Sequence, residues 1–214
     1  MQRHYAPAGM TTKEFYFNHV VGLSNSGLGK VQDKMEGNFD KPVPYGAFRF
    51  GSMVDAILTQ PDELVTDLTD DELRQGLRLS EAVKTNPLAK VLLDHAEPQV
   101  IVSRTLTINL EGIEKEVLAK CMLDLALLKM GIGADIKTTA ARTHAQFLAS
   151  VERFNYDRQA YWYMETPELN KFVFIGISKT KVGEVFIHIV KRDDPMFLSG
   201  KEKAHALAYY HDLI

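Results

Sequence analysis

Hydrophobic and polar positions along the chain change period near its middle. In the first half the stripes are helical. The run SMVDAILTQ from Ser52 carries Met53, Ile57 and Leu58 on one face and stops before Pro61. Upstream, Ser24 or Ser26 caps a short helix reaching Lys34, and Pro42 to Tyr45 break the chain before Gly51. Thr69 followed by Glu72 is a capping box for a helix through about Lys84, and Pro87 opens another through His95. From Val100 to Leu110 the alternation becomes that of a strand, and Glu116 to Leu128 is a second, strongly apolar one. Gly131 and Gly133 turn the chain into a third, ADIKT. Thr139 then opens a helix whose stripe of His144, Phe147, Leu148, Val151 and Phe154 is expected to pack on the sheet, and a further helix from Tyr156 ends before Pro167. Lys171 to Ser178 and Glu184 to Val190 read as two strands joined by a turn at Lys179 to Gly183. Both are apolar on two faces, as strands covered by helices are. Ser199 and Glu202 form a capping box for a last helix. This order predicts an α/β or α+β domain built in layers, a central mixed sheet flanked by helices.

Composition narrows the picture. With 214 residues, 45% of them hydrophobic and 25% charged, the chain has the make-up of one globular domain. The single cysteine, Cys121, excludes an internal disulfide framework, a four-cysteine zinc site and a cysteine-held iron–sulfur cluster, and fits a reducing cytoplasm. Any metal must sit mostly on oxygen or imidazole. The N-terminus has no secretory apolar core, and no stretch approaches the roughly 20 apolar residues needed to span a bilayer, so a cytoplasmic protein without membrane contact is expected. A formal net charge of −3 means that nucleic-acid binding would have to come from a local patch or a metal.

The segment that carries chemistry is DLALLKMGIGADIKTT, residues 124–139. On a strand Asp135 and Lys137 share a face while Ile136 points to the core behind. A hairpin through the glycine turn brings Asp124 close to Asp135. Two carboxylates at one sheet end repel each other unless a cation joins them, and they are hard ligands suited to Mg²⁺ or Mn²⁺. The backbone carbonyl of Ile136 is a further ligand candidate, and the Lys137 ammonium is placed to orient or deprotonate an attacking water. An isolated D-x-K is common by chance; here it runs from an apolar strand with an interior Asp directly into a helix.

In these residues the chain resembles the RecE-type exonuclease branch of the PD-(D/E)XK superfamily, related to lambda-type exonucleases and RecB-family nuclease domains. LSNSGL at residues 23–28, FGSMVDAILTQP at 50–61, MLD…DIKTT at 122–139 and YDRQAYWY at 156–163 follow the family's order. The resemblance implies a restriction-endonuclease-like fold in a single nuclease domain over residues 1–214, with a helical part at 1–50 and the core at 51–214. It makes Asp124 and Asp135 metal-binding acids, Lys137 the catalytic lysine, and Gln159 and Tyr163 the Q-x-x-x-Y pair, on one helix face by their spacing, where they hold substrate phosphate or the active-site strand. It also implies a Mg²⁺-dependent exodeoxyribonuclease acting on double-stranded DNA ends in phage or prophage recombination, a ring-shaped homo-oligomer, and a single-strand annealing protein as partner. The chain departs from the family twice. Asp55 stands where relatives have histidine in a helix motif, and is a third candidate ligand. The strand before Asp124, where relatives often carry glutamate, offers Ser103, Arg104 and Thr105, while Glu97 and Glu116 are not clearly in register.

Two alternatives stay open: a structure-specific or restriction-like endonuclease using the same centre, and a DNA-end-binding protein whose metal site has decayed. His95, His144, His188 and His205 lack zinc-ligand spacing, and GIGAD lacks the remainder of a nucleotide-binding loop.

Overall fold

The computed structural model describes residues 1–39, 45–63, 68–181 and 183–213. One six-stranded sheet runs through it in the order β1 (Gln2–His4), β2 (Glu97–Leu110), β3 (Ile113–Leu127), β4 (Ile132–Thr139), β5 (Lys171–Ser178) and β6 (Val185–Lys191). All neighbours are antiparallel except β4 and β5, which lie parallel. A parallel pair needs a crossover, and α6 (His144–Arg153) with α7 (Tyr156–Glu165) supplies it. One sheet face is covered by α2 (Asn25–Met35), α6, α7 and α8 (Pro195–Tyr210) around Trp162, Phe147, Phe172 and Phe174. The other is covered by α3 (Tyr45–Thr59), α4 (Asp70–Thr85) and α5 (Pro87–His95) around Met53, Leu79, Ile136 and Ile175. Strand alternation does this sorting: Phe172 and Phe174 enter one core, Val173, Ile175 and Ile177 the other. A short α1 (Thr12–Asn18) packs Tyr16 on Ile101 beside β1.

Most expected elements are present, with local differences. The capping box at Thr69 and Glu72 is formed, and Ser24 caps α2. The helix read from Ser52 begins earlier, at Tyr45, because Phe50 and Met53 already lie on its buried face; it therefore straddles residue 50. The expected break at Pro42 to Tyr45 lies mostly outside the described residues. Thr139 does not open α6. Thr143 is its N-cap, its hydroxyl accepting from the Gln146 amide, and Phe154 falls beyond its end, exposed. Ser199 caps nothing: α8 starts at Pro195, and the Ser199 hydroxyl donates to Asp157. The short edge strand β1 was not expected. Among the described residues no helix is long and apolar enough to cross a membrane.

Candidate active site

The β3–β4 hairpin places Asp124 and Asp135 at facing positions, one step beyond the last of its three paired positions, Leu125↔Ala134. The strands part there. Asp124 fills the gap with its side chain, Oδ2 accepting a hydrogen bond from the Ile136 amide at 2.7 Å. In an extended strand the amide and carbonyl of one residue point the same way, so the Ile136 carbonyl also faces the gap rather than β5. Across β3 on its other side, the β2–β3 ladder runs from Glu97↔Ala126 to Leu110↔Ile113 and omits one facing pair, Gln99 and Asp124. Gln99 adopts a left-handed backbone with φ 48. Leu123 and Leu125, two residues apart, consequently pack into opposite cores. Asp124 thus sits at a break in the alternation on both sides of its strand.

Asp135 and Lys137 share a face, as alternation requires, and Lys137 Nζ lies 2.6 Å from Asp135 Oδ2. This ion pair is the contact that meets buried Oδ2. Oδ1 accepts from Gln159 Nε2 at 2.6 Å. Gln159 and Tyr163 lie behind Asp135 on α7, outside the cleft lining, so in this structure Gln159 holds the active-site strand. Tyr163 packs edge-on against Phe172. Tyr156, one turn before Gln159, lies under the lysine, whose Nζ is 5.2 Å from the ring centroid.

Electrostatics follow from burial. Desolvation raises the pKa of Asp124 well above the usual carboxylate range, and the charges of Asp55 and Asp135 add to it. Desolvation also raises Asp135, with Lys137 and Gln159 opposing. Burial works against the Lys137 cation, but Asp135, Tyr156 and Asp124 outweigh it and lift its pKa to about 12. Lys137 is therefore an ammonium at neutral pH.

Asp55 faces the same cleft from α3, and its oxygens are already met. Oδ2 pairs with Lys13 Nζ at 3.0 Å, Gln99 Nε2 donates to both oxygens at 3.0 and 3.1 Å, and Thr59 donates to Oδ1 at 3.2 Å. Among the described residues no three His, Cys, Asp or Glu side chains are arranged to hold a metal. The donor set that fits a hard cation is smaller: Asp124, Asp135, whose Oδ2 is met by Lys137, and the Ile136 carbonyl. Such a set leaves coordination sites to water, as suits Mg²⁺. Of the strand residues considered in place of the family glutamate, Ser103 bonds His4, Arg104 pairs with Glu168, and Glu97 pairs with Arg3. The residue facing Asp124 is Gln99, which periodicity does not mark because it lies on the irregularity itself. Lys13 carried no signal either. Tyr156 did, three residues before Gln159 on the same helix face.

These residues open into a cleft of about 1050 Å³ whose lining also carries Arg142, Arg153 and Lys179. LSNSGL sits beside it: Leu23 pairs through its backbone with Leu118 and Lys120, and Asn25 accepts from Arg158.

No curated protein sequence matches the chain. Among solved structures it is similar to SSO0001, at 15% identity and TM-score 0.47 over 94% of this chain and 82% of that one. It is also similar to a phage-related exonuclease from Haemophilus somnus 129PT, at 16% identity and TM-score 0.42, covering 93% of this chain and 97% of the other. An alkaline exonuclease, LHK-Exo, from Laribacter hongkongensis gives 11% identity and TM-score 0.43 over 94% and 93%. The family described as PDDEXK-like domain of unknown function (DUF3799) matches residues 29–205, a span that contains every strand from β2 on and the whole Asp124–Asp135–Lys137 group. The chain belongs to that PDDEXK-like family.

Proposed function

We propose that the protein is a metal-dependent exonuclease that hydrolyses phosphodiester bonds from the ends of double-stranded DNA, in a phage-type recombination setting. The observation that carries the nuclease reading is the convergence of two desolvated carboxylates, Asp135 buried and Asp124 half-buried, and one ammonium at the open end of the β3–β4 hairpin. Membership of a PDDEXK-like family supports it. The preference for duplex ends, a ring-shaped assembly and an annealing partner rest on the resemblance in DIKTT and Q-x-x-x-Y.

Asp124, Asp135 and the Ile136 carbonyl would hold Mg²⁺ or Mn²⁺, which supplies a Lewis acid and a more acidic water. Gln159 fixes the Asp135 carboxylate, and Asp124 fixes the strand through the Ile136 amide. Lys137, kept cationic, donates to the phosphate and stabilises the charge that develops there; such preorganised donors contribute most where water is excluded. Lys13 neutralises Asp55 at the cleft wall and lowers the repulsion met by an incoming phosphate.

The test uses closed-circular and linear duplex DNA with Mg²⁺. Linear DNA is expected to be degraded and the closed circle left intact, and Lys137→Ala is expected to slow degradation at least about a hundredfold. Cutting of the circle would make the protein an endonuclease. Equal rates for wild type and Lys137→Ala would remove the catalytic assignment.

A further inference from the structure

We infer that Phe154 is a stacking platform for an unpaired nucleobase of the strand being cut; the inference rests on the nuclease reading above. The apolar stripe of α6 predicts a buried position for Phe154, yet the ring is 55% exposed and lines the cleft. It is set there by the backbone. Helix α6 ends at Arg153, and Asn155, left-handed with φ 52, turns the chain into α7, so Phe154 belongs to neither helix.

The ring is braced from behind. Its centroid is 5.8 Å from that of Tyr156, which stacks at 5.3 Å on buried Phe174. Tyr156 is also the ring beneath Lys137 Nζ. A continuous aromatic row therefore runs from the core, past the lysine, to one exposed ring at the cleft. Phe154 and the lysine that meets the phosphate are both neighbours of the Tyr156 ring, at 5.8 and 5.2 Å from its centroid, within the reach of a base attached through its sugar.

Charge fits the same ligand. The Arg153 guanidinium is 5.5 Å from the Phe154 centroid, and Arg142 and Lys179 line the same cleft. The whole lining holds Lys13, Lys137, Lys179, Arg142 and Arg153 against Asp55, Asp124 and Asp135, an excess of cations although the chain is net −3. A cationic groove with an exposed aromatic face is how single-stranded nucleic acid is held without sequence preference. Bases inside a duplex have both faces covered, so the platform takes a base only once it is unpaired.

The experiment moves a single 2-aminopurine along a single-stranded oligonucleotide and reads its fluorescence on binding in EDTA, where hydrolysis does not interfere. One position is expected to be quenched by wild type and by Phe154→Tyr but not by Phe154→Ala. Replacing that base with an abasic site is expected to weaken wild-type binding about tenfold and to leave Phe154→Ala binding no weaker than it already is. If wild type and Phe154→Ala bind and quench alike, the platform is wrong while the nuclease reading stands. If wild type binds no oligonucleotide yet degrades linear duplex DNA in Mg²⁺, the platform is wrong and the nuclease reading stands; if it neither binds the oligonucleotide nor degrades the duplex, both fall.

Discussion

Asp124 and Asp135 pay for their positions at neutral pH when no cation is bound. Both carboxyls bind their protons more tightly in the folded protein than in the unfolded chain, where a carboxyl titrates near pH 4. A raised carboxyl pKa contributes its full stability below that unfolded value and loses it as pH rises through the folded value. Metal-free Asp124→Asn, whose side-chain oxygen still accepts from the Ile136 amide, should therefore unfold at a higher temperature than wild type at neutral pH. The gain should be about 2–4 °C per kcal/mol relieved, and it should vanish in melts below about pH 4. An unchanged or lower melting temperature at neutral pH would show that the pair is not repulsive. Mn²⁺ should raise the wild-type melting temperature in the same assay and leave that of Asp135→Asn much less affected. At this scale Asp124, Asp135 and Lys137 were legible because alternation and a hairpin bring them together. Gln99 was not. Its left-handed backbone interrupts the ladder, and alternation carries no information about the position at which it fails.

Helix α7 carries Tyr156 and Gln159, and its place on the sheet is set in part by α8, packed against it in the same layer. Gly200 of α8 makes that approach possible: a Cβ there would lie 2.0 Å from the Asp157 carbonyl oxygen. Backbone cannot yield as a flexible side chain can, so Gly200→Ala should force the helices apart. We expect a loss of about 1–3 kcal/mol or more in denaturant unfolding, accompanied by reduced nuclease activity as Gln159 withdraws from Asp135. Stability equal to wild type would mean that the helices have slack. Neighbouring polar groups also explain why this end of α8 was misread from sequence. Ser199 and Glu202 have capping-box spacing, but the Ser199 hydroxyl is taken by Asp157, which also pairs with Lys203. Capping chemistry was readable where the cap is local, at Thr69, and unreadable where a distant residue competes for it. The same holds for Phe154, whose apolar character predicted the core and whose turn residue, Asn155, sent it outward.

At the level of the whole molecule, the sheet consists of an antiparallel leaf, β1–β3, and a mixed leaf, β4–β6, joined by the three β3–β4 pairs. The number and order of the long strands could be read from the switch in hydrophobic period. Their pairing could be read only in part: hairpins follow from short turns, whereas the parallel β4–β5 contact depends on a crossover of two helices. That seam is short, three pairs against thirteen between β2 and β3, and it ends at the gap between Asp124 and Asp135. A cation bridging the gap would act as a rivet. Hydrogen exchange should then slow for the Ile136 amide and its β4 neighbours on adding Mn²⁺, while the β2–β3 ladder from Val100 to Leu110, unbroken and away from the gap, exchanges as before.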